Sequence, residues 1–359
     1  MAATQSNRLV NGRLEYIDSL RGLAVLLMVM VHAAATWSPS TASQQSIIGY
    51  VAAGLGGLAA PLFVVLFGWS ISKSELTNRK IAVRAGVLFA AQILLNSIAP
   101  HLFNTFTPGI LSLFAILIIT APLWLKISRW QVMPGLPFWL ILLPLLCSTS
   151  FLLPNMMGGS TWDSRVETSN IGQIISHLFF TGLYPLIPWL AFAIFGALIA
   201  ENYSFVPQTV YRERLTWTMM LGGCMFCVAS IQYALVNNLD WAAPTANADS
   251  NSTVLTFFPA NAAFLIAAMT GVGLLWLLFK KVTNTKSLNI LGQFSLSVYI
   301  LHFIPLSLAR DFEVEYEWSI IGSAIMVILY TLCWWPLAII WNKKAKKWSL
   351  EYLLAKYSK

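Results

Sequence analysis

The sequence predicts an all-α fold: a polytopic membrane bundle of about ten transmembrane helices, with both termini cytoplasmic. Three observations carry this. Hydrophobic residues make up 57% of the 359 positions against 10% charged, and the mean hydropathy is +0.69, far too apolar for a water-soluble domain of this length. Apolar runs near the ~20 residues that cross a bilayer recur along the chain, rich in Leu, Ile, Phe, Ala and Trp rather than alternating as barrel strands do. With the N-terminus inside and alternate loops on alternate sides, every Lys and Arg except Arg165 and Arg310 falls on the cytoplasmic side, the positive-inside pattern.

The expected spans cover residues 19–37, 56–73, 81–99, 107–126, 133–153, 183–200, 214–236, 258–279, 289–309 and 318–341. The first reads as a retained span and not a cleaved leader, because Glu15 and Asp18 precede its apolar run. The second, GLGGLAAPLFVVLFGW at 54–69, is rich in small residues that let helices approach closely. The third opens on the basic NRKIAVR, and the sixth on YPLIPW, where Pro185 and Pro188 bend or break the helix start. The last is followed by KKAKKW, an inner flank facing the membrane. Stretches 46–55 and 171–182 are apolar but too short to span alone, and the outer loops 154–182 and 237–257 suit surface turns or a partial lid. The whole of 1–359 reads as one transmembrane domain.

Charge and cysteine content narrow the function classes. The net charge of +8 is spread over inner loops and the tail, so it points to lipid and not to nucleic acid. Cys147, Cys224, Cys227 and Cys333 all fall within expected spans and read as packing residues, so no metal site is expected. The NST at 251–253 is a formal glycosylation sequon in an outer loop.

The four histidines, His32, His101, His177 and His302, all fall toward the outer side of this topology. His32 lies eleven residues beyond Arg21, about 16 Å along a helix and within about 20° of the same face. Asp18 lies within a turn of Arg21, so one stripe of the first span carries an acid–base pair at its inner end and an imidazole near its outer end. Ionisable groups on a span face the bundle interior or a wet cavity. Arg79 and Arg84, with Arg13, Lys73 and Lys80 nearby in topology, form a candidate inner site for a phosphate-bearing ligand, while lipid headgroup contact explains the same residues. From residues alone, a membrane enzyme, a permease or exporter of a small polar solute or lipid-linked intermediate, and an accessory membrane protein all stay open.

The stretch GRLEYIDSLRGLAVLLMVMVH resembles the opening signature of the heparan-alpha-glucosaminide N-acetyltransferase-like membrane proteins. GLAAPLFVVLFGWSI at 57–71, RKIAVRAGVLF at 79–89, TPGILSLFAI at 107–116 and GLYPLIPWLAFAIFGALIA at 182–200 agree in order with that group's bacterial members. LGQFSLSVYILHF at 291–303 and WSLEYLLAKY at 348–357 are similar to the closing portion of related bacterial proteins. The chain resembles, more distantly, the acyltransferase-3 family of ten-helix sugar-acylating enzymes, with DSLRG followed by a His. The resemblance implies transfer of an acyl group, acetyl above all, from cytoplasmic acyl-CoA to an amino or hydroxyl group of a saccharide or glycoconjugate at the outer face of a bacterial or archaeal cytoplasmic membrane. One departure matters. The first outer-loop His of the heparan branch is absent from IIGYVAAGLGGLAA, whereas His32 matches the acyltransferase-3 position. The expected catalytic group is therefore His32, with His302, His177 and His101 as alternates. Arg21, Arg79, Arg84, Arg13, Lys80 and Asp18 are the expected donor-binding set.

That chemistry suits the residues. An imidazole moves the acceptor proton near neutral pH, and Arg or Lys holds the donor's phosphates while its thin arm threads an apolar path. Gln92, Asn96, Gln173, Ser295 and Tyr299 are candidate hydrogen-bond donors to the oxyanion or the acceptor.

Overall fold

The computed structural model describes residues 9–10, 13–37, 47–133, 136–201, 210–242, 252–282 and 286–357. Its principal helices are α1 (Glu15–Thr36), α2 (Ile47–Gly56), α3 (Ala59–Ser72), α4 (Asn78–Ile98), α5 (Ile110–Ile119), α6 (Ala121–Arg129) and α7 (Trp139–Cys147). The later ones are α8 (Leu186–Glu201), α9 (Val210–Val236), α10 (Ala262–Lys281), α11 (Lys286–Gln293), α12 (Ser295–Leu301), α13 (Ile320–Lys344) and α14 (Leu350–Tyr357). Three short strand pairings accompany them: Leu9–Val10 with Arg13–Leu14, Gln131–Met133 with Leu136–Pro137, and Asp240–Ala242 with Thr253–Leu255. The described residues are thus predominantly helical.

Six helical stretches among the described residues are long and apolar enough to cross a membrane, and three bent pairs raise this to as many as nine. The bent pairs are α5 with α6 (66°), Ile171–Thr181 with Leu186–Ala200 (46°), and α11 with Ser295–Glu315 (66°). The stretch at 46–55 forms α2, which continues into α3 as one apolar run, Ile47–Ser72. The expected fifth span is divided into Trp139–Cys147 and Thr149–Leu152, with Pro144 inside the first piece. As expected from Pro185 and Pro188, the start of α8 is kinked, with Ile187 outside helical dihedrals (φ −105°, ψ 120°).

The chain divides into two compact units: Met1–Phe63 with Leu274–Lys359, and Val64–Gly273. In the first, α1 packs closely on α11. A Cβ on Gly22 would lie 2.2 Å from the Leu288 carbonyl oxygen, and one on Gly292 would lie 1.9 Å from that of Asp18. Only glycine permits that approach. Val25, Val29, Leu291, Phe294 and Val298 form the adjoining core.

The bend between α11 and α12 opens backbone N–H groups that a continuous helix would satisfy. Glu351 of α14 covers them. Its Oε1 accepts from the N–H groups of Leu296 (2.6 Å) and Ser297 (3.0 Å), and its Oε2 accepts from the Ser297 hydroxyl (2.6 Å). Leu350 N–H donates in turn to Ser297 Oγ at 2.9 Å. Burial pushes the Glu351 carboxyl above its ordinary range, and the donors from Ser297 and Leu296 pull it back part of the way.

In the second unit, polar side chains fasten the turn between α4 and α5. Gln92 Nε2 donates to Asn96 Oδ1 (2.9 Å), and Asn96 Nδ2 donates to the carbonyls of Thr105 (3.0 Å) and Thr107 (2.9 Å). Leu111 N–H donates to Gln92 Oε1 at 3.2 Å. Arg165 is buried at 1% exposure and ties three carbonyls: Nη1 donates to Thr181 (3.2 Å) and Gly182 (2.8 Å), and Nη2 to Met157 (3.0 Å). Burial pulls this guanidinium down to about 10.

Candidate functional site

The first unit carries both ends of the predicted stripe. At the start of α1, Arg21 Nη1 donates to Asp18 Oδ1 at 2.8 Å, and Asp18 is almost fully buried. The helix then runs unbroken to Thr36, so the 3.6-residue repeat carries the face of Arg21 to His32 about 16 Å away. No proline or glycine interrupts α1 after Gly22.

His32 meets a second imidazole 270 positions along the chain. Its Nδ1 lies 2.8 Å from Nε2 of His302, and the two rings are tilted by only 9°. His302 sits where α12 gives way to a further turn at Phe303–Leu308, and it has no solvent exposure. Its Nδ1 lies 3.0 Å from the Val298 carbonyl, while its own carbonyl accepts from the Tyr330 hydroxyl at 2.5 Å. Phe303 packs beside both rings (centroids 4.8 Å from His32 and 4.4 Å from His302), and Trp334 meets His302 edge-on. His32 itself is only partly buried. A fixed imidazole with one ring nitrogen not bonded among the described residues, in an otherwise apolar wall, is an arrangement that can accept and return a proton.

The end of the same unit at which α1 begins holds a cavity of about 300 Å³, bordered by Glu15, Asp18, Gln293, Lys346, Glu351 and Tyr352 among others. Carboxylates outnumber the single lysine in that lining. Asp18 therefore acts here as the partner of Arg21, and the acidic lining does not favour a phosphate.

The remaining predicted residues are placed elsewhere. Arg79, Lys80 and Arg84 lie in the first turns of α4 in the second unit; Arg79 is exposed, and Lys80 and Arg84 are partly so. The side chain of Arg13 lies outside the described residues. His101 is exposed in the turn that follows α4. His177 is buried with both nitrogens engaged: Nε2 lies 2.9 Å from the Glu167 carbonyl, which can only accept, and Nδ1 lies 2.7 Å from Thr181 Oγ1. It clasps its loop, with no ring nitrogen left for a substrate. The candidate oxyanion donor Asn96 is likewise occupied, with both amide hydrogens directed at carbonyls. Gln92 is drawn into the same clamp.

Tyr330, Phe303 and Trp334 were not singled out by sequence, although Val298 and His302 stand at helical i, i+4 spacing. Among the described residues no group of three metal-ligating side chains is present. A family model described as an acyltransferase domain matches residues 14–340, which takes in both members of the histidine pair. It is the family to which DSLRG and the following His32 point. No curated protein matches the chain significantly.

Proposed function

The chain belongs to this acyltransferase-3 family, and from that premise we propose a membrane enzyme that moves an acetyl or other acyl group from cytoplasmic acyl-CoA to a saccharide-type acceptor at the outer face. Family and fold together support a membrane-embedded acyltransferase activity. The proposed enzyme has ten spans with both termini cytoplasmic, sits in a bacterial or archaeal cytoplasmic membrane, and takes an acyl-CoA donor and an amino or hydroxyl acceptor.

One observation carries it. The imidazole of His32 is held at 2.8 Å by a second buried histidine, on the helix whose inner end bears Arg21. In the proposed step, His32 takes the proton from the acceptor O–H or N–H as the acceptor atom bonds to the thioester carbonyl carbon. The carbon–sulfur bond then breaks, and the imidazolium returns the proton to the departing thiolate, which leaves as the free thiol. Arg21, at the start of α1 on the same helix as His32, is the proposed contact for the donor's phosphates.

The test is thiol release from acetyl-CoA by purified protein in lipid, with glucosamine and N-acetylglucosamine as acceptor probes. His32→Gln is expected to lower the rate by about 100-fold or more, the scale of lost general-base catalysis. Wild-type turnover by that variant would sink the reading.

A further inference from the structure

The histidine pair has only one proton arrangement that satisfies its contacts. A backbone carbonyl can only accept, so His302 Nδ1, 3.0 Å from the Val298 oxygen, carries a hydrogen. With one proton on each ring, His302 Nε2 is then a bare lone pair. The 2.8 Å contact to His32 Nδ1 requires a donor, so that hydrogen sits on His32. The ring planes agree. Layers of stacked rings stay ~3.5 Å apart, so two rings tilted by 9° with nitrogens 2.8 Å apart must meet edge to edge, along the lone pair. His32 Nε2 is left unprotonated, and among the described residues no partner is bonded to it.

We infer that His302 is a positioning residue: it holds the proton of His32 on Nδ1 and so presents Nε2 of His32 as the base for acyl transfer. This rests on the proposed role of His32 and adds the residue that sets its tautomer and ring direction. The relay runs from the Val298 carbonyl through His302 to His32, and the Tyr330 hydroxyl holds the His302 carbonyl at the point where the helix turns. When the acceptor proton reaches Nε2, His32 becomes an imidazolium whose Nδ1–H still points at the His302 lone pair. The added charge therefore meets an oriented acceptor without any rearrangement. As the thiolate departs, the same Nε2 proton moves to sulfur, and both rings return to their starting state.

Three variants and one spectroscopic measurement test this. Protein labelled with ¹⁵N-histidine, in lipid, reports which nitrogen of His32 is protonated; His32→Gln identifies its signal. Wild type is expected to show Nδ1–H and bare Nε2. His302→Gln keeps an acceptor near the Nε2 position; it is expected to keep the same tautomer and a kcat within about tenfold of wild type. His302→Leu keeps the bulk and removes the acceptor. It is expected to lose the Nδ1–H signature and about 100-fold in kcat, with little change in KM for acetyl-CoA; a wrong tautomer in a catalytic triad costs up to about 10⁴.

A protonated Nε2 on wild-type His32, or a His302→Leu variant with wild-type kcat, would overturn the assignment. Loss of activity in His32→Gln alongside full activity in His302→Leu would leave the acyltransfer role of His32 standing and remove that of His302. Activity in His32→Gln would remove the base reading itself, which the tautomer signal does not depend on.

Discussion

At His177 both ring nitrogens are bonded to groups of the second unit; at His32 one nitrogen faces a neighbouring ring and the other has no bonded partner among the described residues. The residues around them differ in the same way. Around His177, Arg165 ties three carbonyls and Thr181 bonds the imidazole, so the loop is closed by polar contacts. Around His32, Phe303 and Tyr299 supply shape, and among the described residues a single hydrogen bond, to His302, holds the ring. A buried histidine whose bonds are complete stabilises structure. One held by a single bond with an edge left over is available for chemistry.

The largest expected effect separates these two sites. His32→Ala should lower acyl transfer by about 10² to 10⁴ with little change in melting temperature, whereas His177→Ala should keep kcat within about threefold and lower the melting temperature. Equal loss of turnover in both, measured by thiol release, would break the comparison.

Next in size is Arg165→Met. It leaves the Met157, Thr181 and Gly182 carbonyls without their donor, at a cost of about 2 to 4 kcal/mol, with the donor's KM unaffected. Thermal unfolding in lipid or detergent checks it. A stability equal to wild type would show that the loop does not need its buried cation.

Glu351→Ala should cost about 1 to 2 kcal/mol, because two backbone N–H groups and a hydroxyl lose their acceptor at the bend before α12. It acts on the helix that carries His302, so a several-fold drop in kcat should accompany the drop in melting temperature. A change in stability alone would confine Glu351 to holding the bend.

The smallest effect concerns pH. Burial raises the Glu351 carboxyl from its ordinary 4.5, so the folded state takes up the proton before the unfolded chain does. Stability from this linkage is fully present below 4.5 and is lost as pH rises through the folded value. The melting difference between wild type and Glu351→Gln, which does not titrate, should therefore shift toward wild type as pH falls from 7 toward 4.5. A difference independent of pH would mean that the carboxyl keeps its ordinary affinity for protons.

Much of this architecture was legible because apolar length and charge position are local properties. Residues 19–37 read as a span, and α1 is a single helix through them. The fall of Arg21 and His32 on one face followed from eleven residues and a helical repeat. The bends were less visible. Pro185 and Pro188 announced the kink at Ile187, but GQFSLS contains no proline, and the break before α12 is completed by a carboxylate 54 positions later in the chain. The pairing of His32 with His302 is hidden for the same reason, since four histidines allow several pairings and only the fold selects one. Gln92 and Asn96 read as free donors because a sequence does not show the carbonyls of Thr105 and Thr107 turning back toward them.

The capping of α12 by Glu351 also sets an order of events during biosynthesis. The ribosome releases the segment of α12 into the membrane before residues 350–357 have been polymerised, so the N–H groups of Leu296 and Ser297 first meet the bilayer without their carboxylate. The bend that places His302 is therefore finished only once residues 350–357 have left the ribosome. A chain stalled before residue 350 is expected to remain open to protease at the Gln293–Ser295 junction, and the full chain to be protected there.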